Sequence, residues 1–208
     1  KPYHPATANE DLCVPLNKEI GLSDKMMKRA TNAAVYAQME EDINKAIQCF
    51  KAIGGEKTIF RPNLPSAYLL ASRIALFQEK YDVTILYCDS VFKVATQPLY
   101  KLQEKKDHYF FSLANKEILL SYGLTSLETH MKEDFRYTGN LVVSDDLLAL
   151  YSEDDLRLTN YFKNTIGNQT RPTNKQYSVY TPIKWTKNSA TVYANALRIS
   201  EAYLNRAE

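Results

Sequence analysis

Carboxylates cluster at two neighbouring places in the sequence, where a pair of them could act as acid and base in glycoside hydrolysis. Asp145 and Asp146 form the first cluster, and the Glu-Asp-Asp run at residues 153–155 forms the second. Ser144 precedes the first cluster as a helix N-cap would, and acidic residues in a first helical turn stabilise the helix dipole. The second cluster follows in the next predicted loop. The pattern therefore favours structural roles over catalysis for both clusters.

The histidines and cysteines stand far apart in the sequence. They are His4, His108, His130, Cys13, Cys49 and Cys88. Neither set has the spacing of a zinc site, and the sequence contains no phosphate-binding glycine loop and no nucleophile elbow. Cys49 and Cys88 fall on apolar faces of predicted helices, where a free thiol is usually a small buried hydrophobe. We therefore predict no catalytic residue, no metal site and no cofactor.

Aromatic residues are the side chains best suited to binding in this sequence, which contains 15 Tyr and one Trp. Rings of this kind stack on the apolar faces of sugars. Trp185, Tyr177 and Tyr180 lie in the stretch 164–188, which is rich in Asn, Thr and Pro and is predicted to form an irregular loop. Tyr3, near the N-terminus, is a further candidate. Each ring could instead pack over the helical core with its polar tip in water, so both interpretations stay open.

The charges of the chain exclude one large class of partners. Its 26 Lys and Arg residues against 24 Asp and Glu leave a formal net charge of +2, and both signs are interspersed. A nucleic-acid-binding protein normally carries a concentrated basic stripe, and this sequence has none. It also lacks the apolar run of about 20 residues that a membrane-spanning helix needs. We therefore expect neither a nucleic-acid partner nor a transmembrane helix.

Apolar spacing predicts three consecutive helices in the first half of the chain. The first has Thr31 as its N-cap and ends at the glycine pair of residues 54–55. The second begins near Pro65, which suits a first helical turn, and the third runs over about residues 82–95. A tight turn joins these last two helices into an antiparallel αα-hairpin, which resembles a tetratricopeptide-like unit.

The second half of the chain is predicted to be less regular. Residues 115–121 form either a short helix or a strand, residues 144–151 form a capped helix, and residues 190–208 form a long helix. The elements as a whole predict an all-α protein with long irregular loops.

Six segments resemble, in order, sequence elements of the SusD/RagB family. The last one, LRISEAYLNRAE, is similar to the family's L-R-x-A-E-x-Y-L-N-x-A-E-A, although Thr84 in the third segment replaces the usual alanine. Each segment alone is mostly an amphipathic helix, whereas six in the right order are specific. The segments are residues 29–46, 67–77, 81–92, 115–121, 146–157 and 197–208.

The resemblance implies an all-α, SusD-like fold in which tetratricopeptide-like helical hairpins carry long irregular loops. It also implies that residues 1–208 are a single, incomplete domain, with the N-terminal lipoprotein region and a C-terminal part outside this chain. Such proteins are lipid-anchored at the cell surface, on the outer membrane of Bacteroidetes. They cap a SusC-like TonB-dependent transporter and capture glycans or other nutrients for it, without enzymatic activity.

The resemblance supplies no binding residue, because the family has no fixed ligand motif. Arg73 and Arg157 resemble family-wide arginines, and we predict that they form structural ion pairs rather than ligand contacts. We therefore expect a surface glycan-binding lipoprotein that serves the import of oligosaccharides or polysaccharides and is not an enzyme. The alternative is a helical-repeat scaffold that binds peptides, because the predicted αα-hairpin is also the unit of such scaffolds.

Overall fold

The computed structural model describes residues 2–21, 26–54, 58–99, 115–124, 143–167, 177–182 and 193–208. Two compact units divide the chain: Lys1–Gln97 together with Leu197–Glu208 form the first, and Pro98–Ala196 form the second. The single domain over residues 1–208 stays a prediction.

The described residues form helices and strands that are numbered here in chain order. They are α1 (Asn32–Ile53), α2 (Leu64–Phe77), α3 (Tyr81–Val94), β1 (Ile118–Leu124), α4 (Asp145–Ala149), α5 (Leu156–Tyr161), β2 (Phe162–Gly167), β3 (Tyr177–Pro182), β4 (Tyr193–Arg198) and α6 (Ile199–Ala207). None of the described helices is both long and apolar enough to cross a bilayer.

The first unit is a helical layer around the α2–α3 hairpin. Helices α1 and α6 both pack against α2, and α6 also packs against α3. Leu69 of α2 and Val91 of α3 are fully buried in this core. The alanines Ala67, Ala71 and Ala75 of α2 are also buried, and small side chains at these positions let neighbouring helices approach closely. The hairpin that the sequence predicts is therefore confirmed.

Local sequence fixes the ends of α1 and α2 as predicted. The Ala34 amide donates to Thr31 Oγ1 at 3.2 Å, which makes Thr31 the N-cap of α1. Gly54 ends this helix with a left-handed φ of +57°. At the start of α2, Asn63 and Ser66 form a reciprocal capping box, because each side chain accepts a hydrogen bond from the other residue's amide.

The N-terminal segment binds to the first turn of α1. The Asn32 amide donates to the Asp11 carbonyl at 2.8 Å, and the Ala33 amide donates to the Ala8 carbonyl at 2.9 Å. The first amides of a helix have no partner within the helix, so carbonyls from another segment satisfy them here. Residues 8–11 therefore cap α1 together with Thr31.

The second unit contains the β2–β3 hairpin. The two strands are antiparallel, with Phe162 opposite Pro182 at one end and Gly167 opposite Tyr177 at the other. The short helix α5 runs directly into β2. A separate two-stranded sheet pairs β1 with β4.

The structure differs from the sequence predictions mainly in its strands. The stretch 164–188 is predicted to be an irregular loop, whereas β2 and β3 pair within it, since its Thr, Ile, Val and Tyr residues suit strands. The predicted helix 190–208 begins only at Ile199, because pairing with β1 holds the preceding residues in a strand. The fold is nevertheless mostly helical.

Cys49 is the clearest correction on α1. It was predicted to be buried on an apolar face, but it is exposed, whereas Cys88 is buried as predicted. The buried residues of α1 include Val35 and Ile47, which mark the two edges of a stripe about 120° wide, and Cys49 lies about 40° beyond Val35 on the side away from Ile47. The inward-facing stripe of α1 is therefore too narrow to include Cys49.

Candidate functional site

The β2–β3 hairpin contains two of the four binding residues that the sequence suggests. Tyr177 pairs with Gly167 at one end of the hairpin, and Tyr180 pairs with Asn164 near the other. Trp185, a third candidate, lies outside the described residues, three positions after β3 ends at Pro182. The backbone thus places Tyr177 and Tyr180 on one strand.

An aromatic pair lies where α5 meets β2. The Tyr151 and Phe162 ring centroids are 5.6 Å apart, with a tilt of 59° between the ring planes. Both residues are half-buried, so the rings pack together and still reach the surface. The guanidinium carbon of Arg157 lies 5.1 Å from the centre of the Tyr151 ring, within the range of a cation–π contact.

Asp155 holds this guanidinium in place. Its carboxylate accepts from Arg157 Nη2 at 2.6 Å and from Nε at 3.0 Å, and it also accepts from the Arg157 amide at 2.8 Å. The last contact makes Asp155 the N-cap of α5. The side-chain hydrogen bond from Arg157, helped by the amide, lowers the pKa of the Asp155 carboxyl. The structural ion pair predicted for Arg157 is confirmed.

We call Tyr151, Phe162, Asp155 and Arg157 the aromatic–arginine cluster. A half-exposed ring can stack on the apolar face of a sugar, and a guanidinium donates hydrogen bonds to hydroxyl or carboxylate oxygens. The Asp155 carboxylate already accepts three hydrogen bonds from Arg157, which leaves it poorly suited to proton transfer. This cluster can therefore bind a ligand with apolar faces and oxygen acceptors.

Sequence reasoning missed the cluster. Tyr151 and Phe162 are 11 positions apart; Tyr151 ends the predicted helix 144–151, and Phe162 lies in no predicted element. Only the turn between α4 and α5 brings them together, and no periodic pattern marks such a contact. The one sequence signal for this contact is that an aromatic residue stands on each side of an acidic loop, at positions 151 and 162.

Tyr3, the fourth candidate, lies in the first unit. Its ring centroid is 4.7 Å from that of Tyr36 on α1, with the planes tilted by 58°. Burial, with smaller contributions from Cys13 and Tyr3, raises the pKa of Tyr36. Tyr3 is itself half-buried, so its ring helps to attach the N-terminal segment to α1.

The acidic clusters have the structural positions that their sequence suggests. The Leu147 amide donates to Ser144 Oγ at 3.2 Å, and Asp145 and Asp146 occupy the first turn of α4. Within the described part of the chain, no group of three or more His, Cys, Asp or Glu residues could hold a metal ion. Two of the histidines, His108 and His130, lie outside the described residues.

Solved structures of SusD-like proteins are similar to this chain. A SusD superfamily protein from Bacteroides thetaiotaomicron matches with a TM-score of 0.74 and 21% identity, over 99% of this chain and 48% of that one. A SusD-like carbohydrate binding protein from Bacteroides vulgatus matches with a TM-score of 0.71 and 17% identity, over 95% and 44%. Surface glycan-binding protein A from Bacteroides uniformis matches with a TM-score of 0.63 and 13% identity, over 98% and 50%.

No protein-family model and no curated protein matches the sequence. At these low sequence identities, the similarity shows that this chain shares the fold of the solved structures. This chain spans about half of their length.

Proposed function

Since the chain has a SusD-like fold, we propose that it is a cell-surface glycan-binding protein that captures oligosaccharides or polysaccharides for import. The observation that carries the proposal is the structural match over nearly the whole chain to proteins described as carbohydrate-binding and glycan-binding. In this proposal the protein binds its ligand without converting it, so it is not an enzyme and needs no cofactor.

The proposed partner is a SusC-like TonB-dependent transporter, and the proposed location is the outer face of the outer membrane. The protein would be held there by a lipid anchor outside residues 1–208. Fold-level similarity and the resemblance of six sequence segments support both statements. A pull-down of the tagged protein from outer membranes, with the transporter identified by mass spectrometry, tests the partnership.

The aromatic–arginine cluster is the proposed glycan-contacting surface of the described residues. Its half-exposed rings and its guanidinium supply the two kinds of contact that a sugar needs, apolar stacking and hydrogen bonding to oxygen. Tyr177 and Tyr180 lie three positions apart on β3 and so on opposite faces of the strand, and with Trp185 they are separate candidates. Tyr3 is a separate candidate, and its ring contact with Tyr36 favours packing over binding.

Titration with a panel of plant and host polysaccharides tests the function. Tryptophan fluorescence reports binding near Trp185, the one Trp of the chain, and a Trp185→Phe variant assigns the signal. Affinity electrophoresis in polysaccharide-containing gels reports binding elsewhere. We expect saturable binding of one glycan and no change in its chain length on prolonged incubation.

Variants then test the site. We expect Tyr151→Ala to weaken binding by about fivefold or more, the effect of losing a contact worth about 1 kcal/mol. Tyr81→Ala is the matched control, because Tyr81 is an exposed tyrosine of the first unit. Equal affinities of the two variants would contradict the proposed site. Binding of no glycan would contradict the proposed function and would direct the search to peptides, the ligands of the alternative scaffold.

A further inference from the structure

A cavity opens at one end of the first unit. Its volume is about 620 Å³, which lies in the range of small-molecule sites. It is bounded by the last turn of α1, residues 58–63, the first turn of α2 and the end of α3. All of its lining residues belong to the first unit, and none belongs to the aromatic–arginine cluster.

The walls of the cavity are mainly apolar. Phe50 and Ile53 come from α1, Leu64 and Pro65 from α2, and Val94 from α3. Ile53 is 73% exposed, so its side chain stands at the entrance and not in the core. The walls therefore offer an apolar ligand a surface that it can reach without unfolding the helices.

Arg61 is the only charged side chain among the described residues that line the cavity. It is exposed, and no ion pair is found for it within the described part of the chain. Its guanidinium therefore provides a cation at this wall. A ligand would meet one positive charge beside an apolar surface.

The two helix ends at the cavity give it a direction. The first turn of α2, close in sequence to Arg61, contributes partial positive charge to the cavity, and the last turn of α1, which contains Ile53, contributes partial negative charge. A ligand with one anionic end would therefore place that end at Arg61 and its apolar body towards Phe50 and Ile53. An uncharged ligand would gain nothing from the charge of Arg61.

We propose that this cavity binds a small organic anion with an apolar body, such as an aliphatic or aromatic carboxylate or sulfonate. The carrying observation is the combination of an apolar cavity with one cation at the N-terminal end of α2. This site is independent of the glycan surface, so either proposal can fail while the other stands.

A pair of fluorescent probes tests the charge preference on the whole chain. Anilinonaphthalene sulfonate carries an apolar body and one negative charge, and phenylnaphthylamine has nearly the same body without the charge. We expect Arg61→Gln to weaken binding of the anionic probe by about two- to fivefold, the range for one exposed charge pair, and to leave the neutral probe unchanged. The difference should shrink at 1 M salt.

Two further variants locate the site. Lys93→Gln removes one exposed cation that does not line the cavity, and we expect it to affect neither probe. Ile53→Asp places a negative charge at the entrance, and we expect it to weaken the anionic probe more than the neutral one. Circular dichroism checks that each variant is folded. Equal effects of Arg61→Gln and Lys93→Gln, or unchanged binding in Ile53→Asp, would overturn the proposal.

Discussion

Arg73 of α2 and Glu201 of α6 form a bidentate ion pair across 128 residues of sequence, with contacts of 2.6 Å from Nε and 2.7 Å from Nη2. Arg206 of α6 pairs with Asp89 of α3 through a single hydrogen bond from Nε at 2.8 Å. The hydrogen bond with Glu201 raises the pKa of Arg73. Polar contacts thus fix the position of the last helix on the hairpin, beside the buried Ala202.

We expect the Arg73–Glu201 pair to contribute to folding more than a surface pair does. A double-mutant cycle of Arg73→Met and Glu201→Gln, measured by urea unfolding, should give a coupling energy of about 1 kcal/mol, because the pair is half-buried and bidentate. The exposed pair Lys45–Glu41 serves as control and should give a smaller coupling energy, because solvent screens it. A coupling no larger than that of the control would contradict this ranking.

The cysteines should differ sharply in reactivity. Cys49 is exposed, whereas Cys88 is fully buried, and burial raises the pKa of the Cys88 thiol more than its hydrogen bond with Ser72 lowers it. Because the thiolate is the reactive form, Cys49 should react first with a thiol reagent and Cys88 only on unfolding. Mass spectrometry of the partly labelled protein checks the order. Early labelling of Cys88 in the folded protein would contradict the burial.

Local signals were sufficient to predict the first unit from the sequence. Thr31, Gly54 and Pro65 each start or end a helix through contacts within one helical turn. Their effect on the helix can therefore be predicted from neighbouring residues alone. The ion pairs of Arg73 and Arg157 were predicted, but the partner of Arg73 was not. Glu201 lies on a helix whose place is set by tertiary packing.

The second unit was harder to predict for a physical reason. Strand pairing joins distant segments, so β4 depends on β1 rather than on the apolar spacing of its own residues. The contact between Tyr151 and Phe162 depends on the turn before α5 in the same way. None of the four aromatic residues that the sequence suggested belongs to the aromatic–arginine cluster, of which only the ion pair of Arg157 was predicted.

Replacing Gly54 should destabilise the protein because of the backbone conformation at this position. Its φ of +57° is unfavourable for a residue with a Cβ, although an added Cβ would meet no atom within 4 Å. We expect Gly54→Ala to lower the free energy of unfolding by about 1 kcal/mol through strain alone. Gly54→Asn should lower the free energy of unfolding by less, since Asn tolerates this conformation better. Thermal unfolding compares the two variants, and equal losses would argue against strain as the cause.

Tyr3 can be assigned to packing or to binding with two variants. If its ring serves to pack against Tyr36, Tyr3→Ala should destabilise the first unit by about 1–2 kcal/mol, whereas Tyr3→Phe should be nearly neutral. Glycan affinity, measured well below the unfolding temperature, should be the same for both. A loss of affinity in Tyr3→Ala without a loss of stability would instead make Tyr3 a binding residue.

The Asp155 carboxyl should titrate below its ordinary value of 3.8, because Arg157 stabilises the ionised form. A pKa that is lower in the folded state stabilises the fold above the unfolded value, and this contribution is lost as the pH falls through the folded pKa. NMR of the Asp155 carboxyl carbon measures the titration directly. Arg157→Gln should move the pKa up towards 3.8, whereas the control Lys93→Gln should leave it in place. If Arg157→Gln has no effect on the titration, the guanidinium is not held by Asp155, and the aromatic–arginine cluster loses the contact that orients its cation over Tyr151.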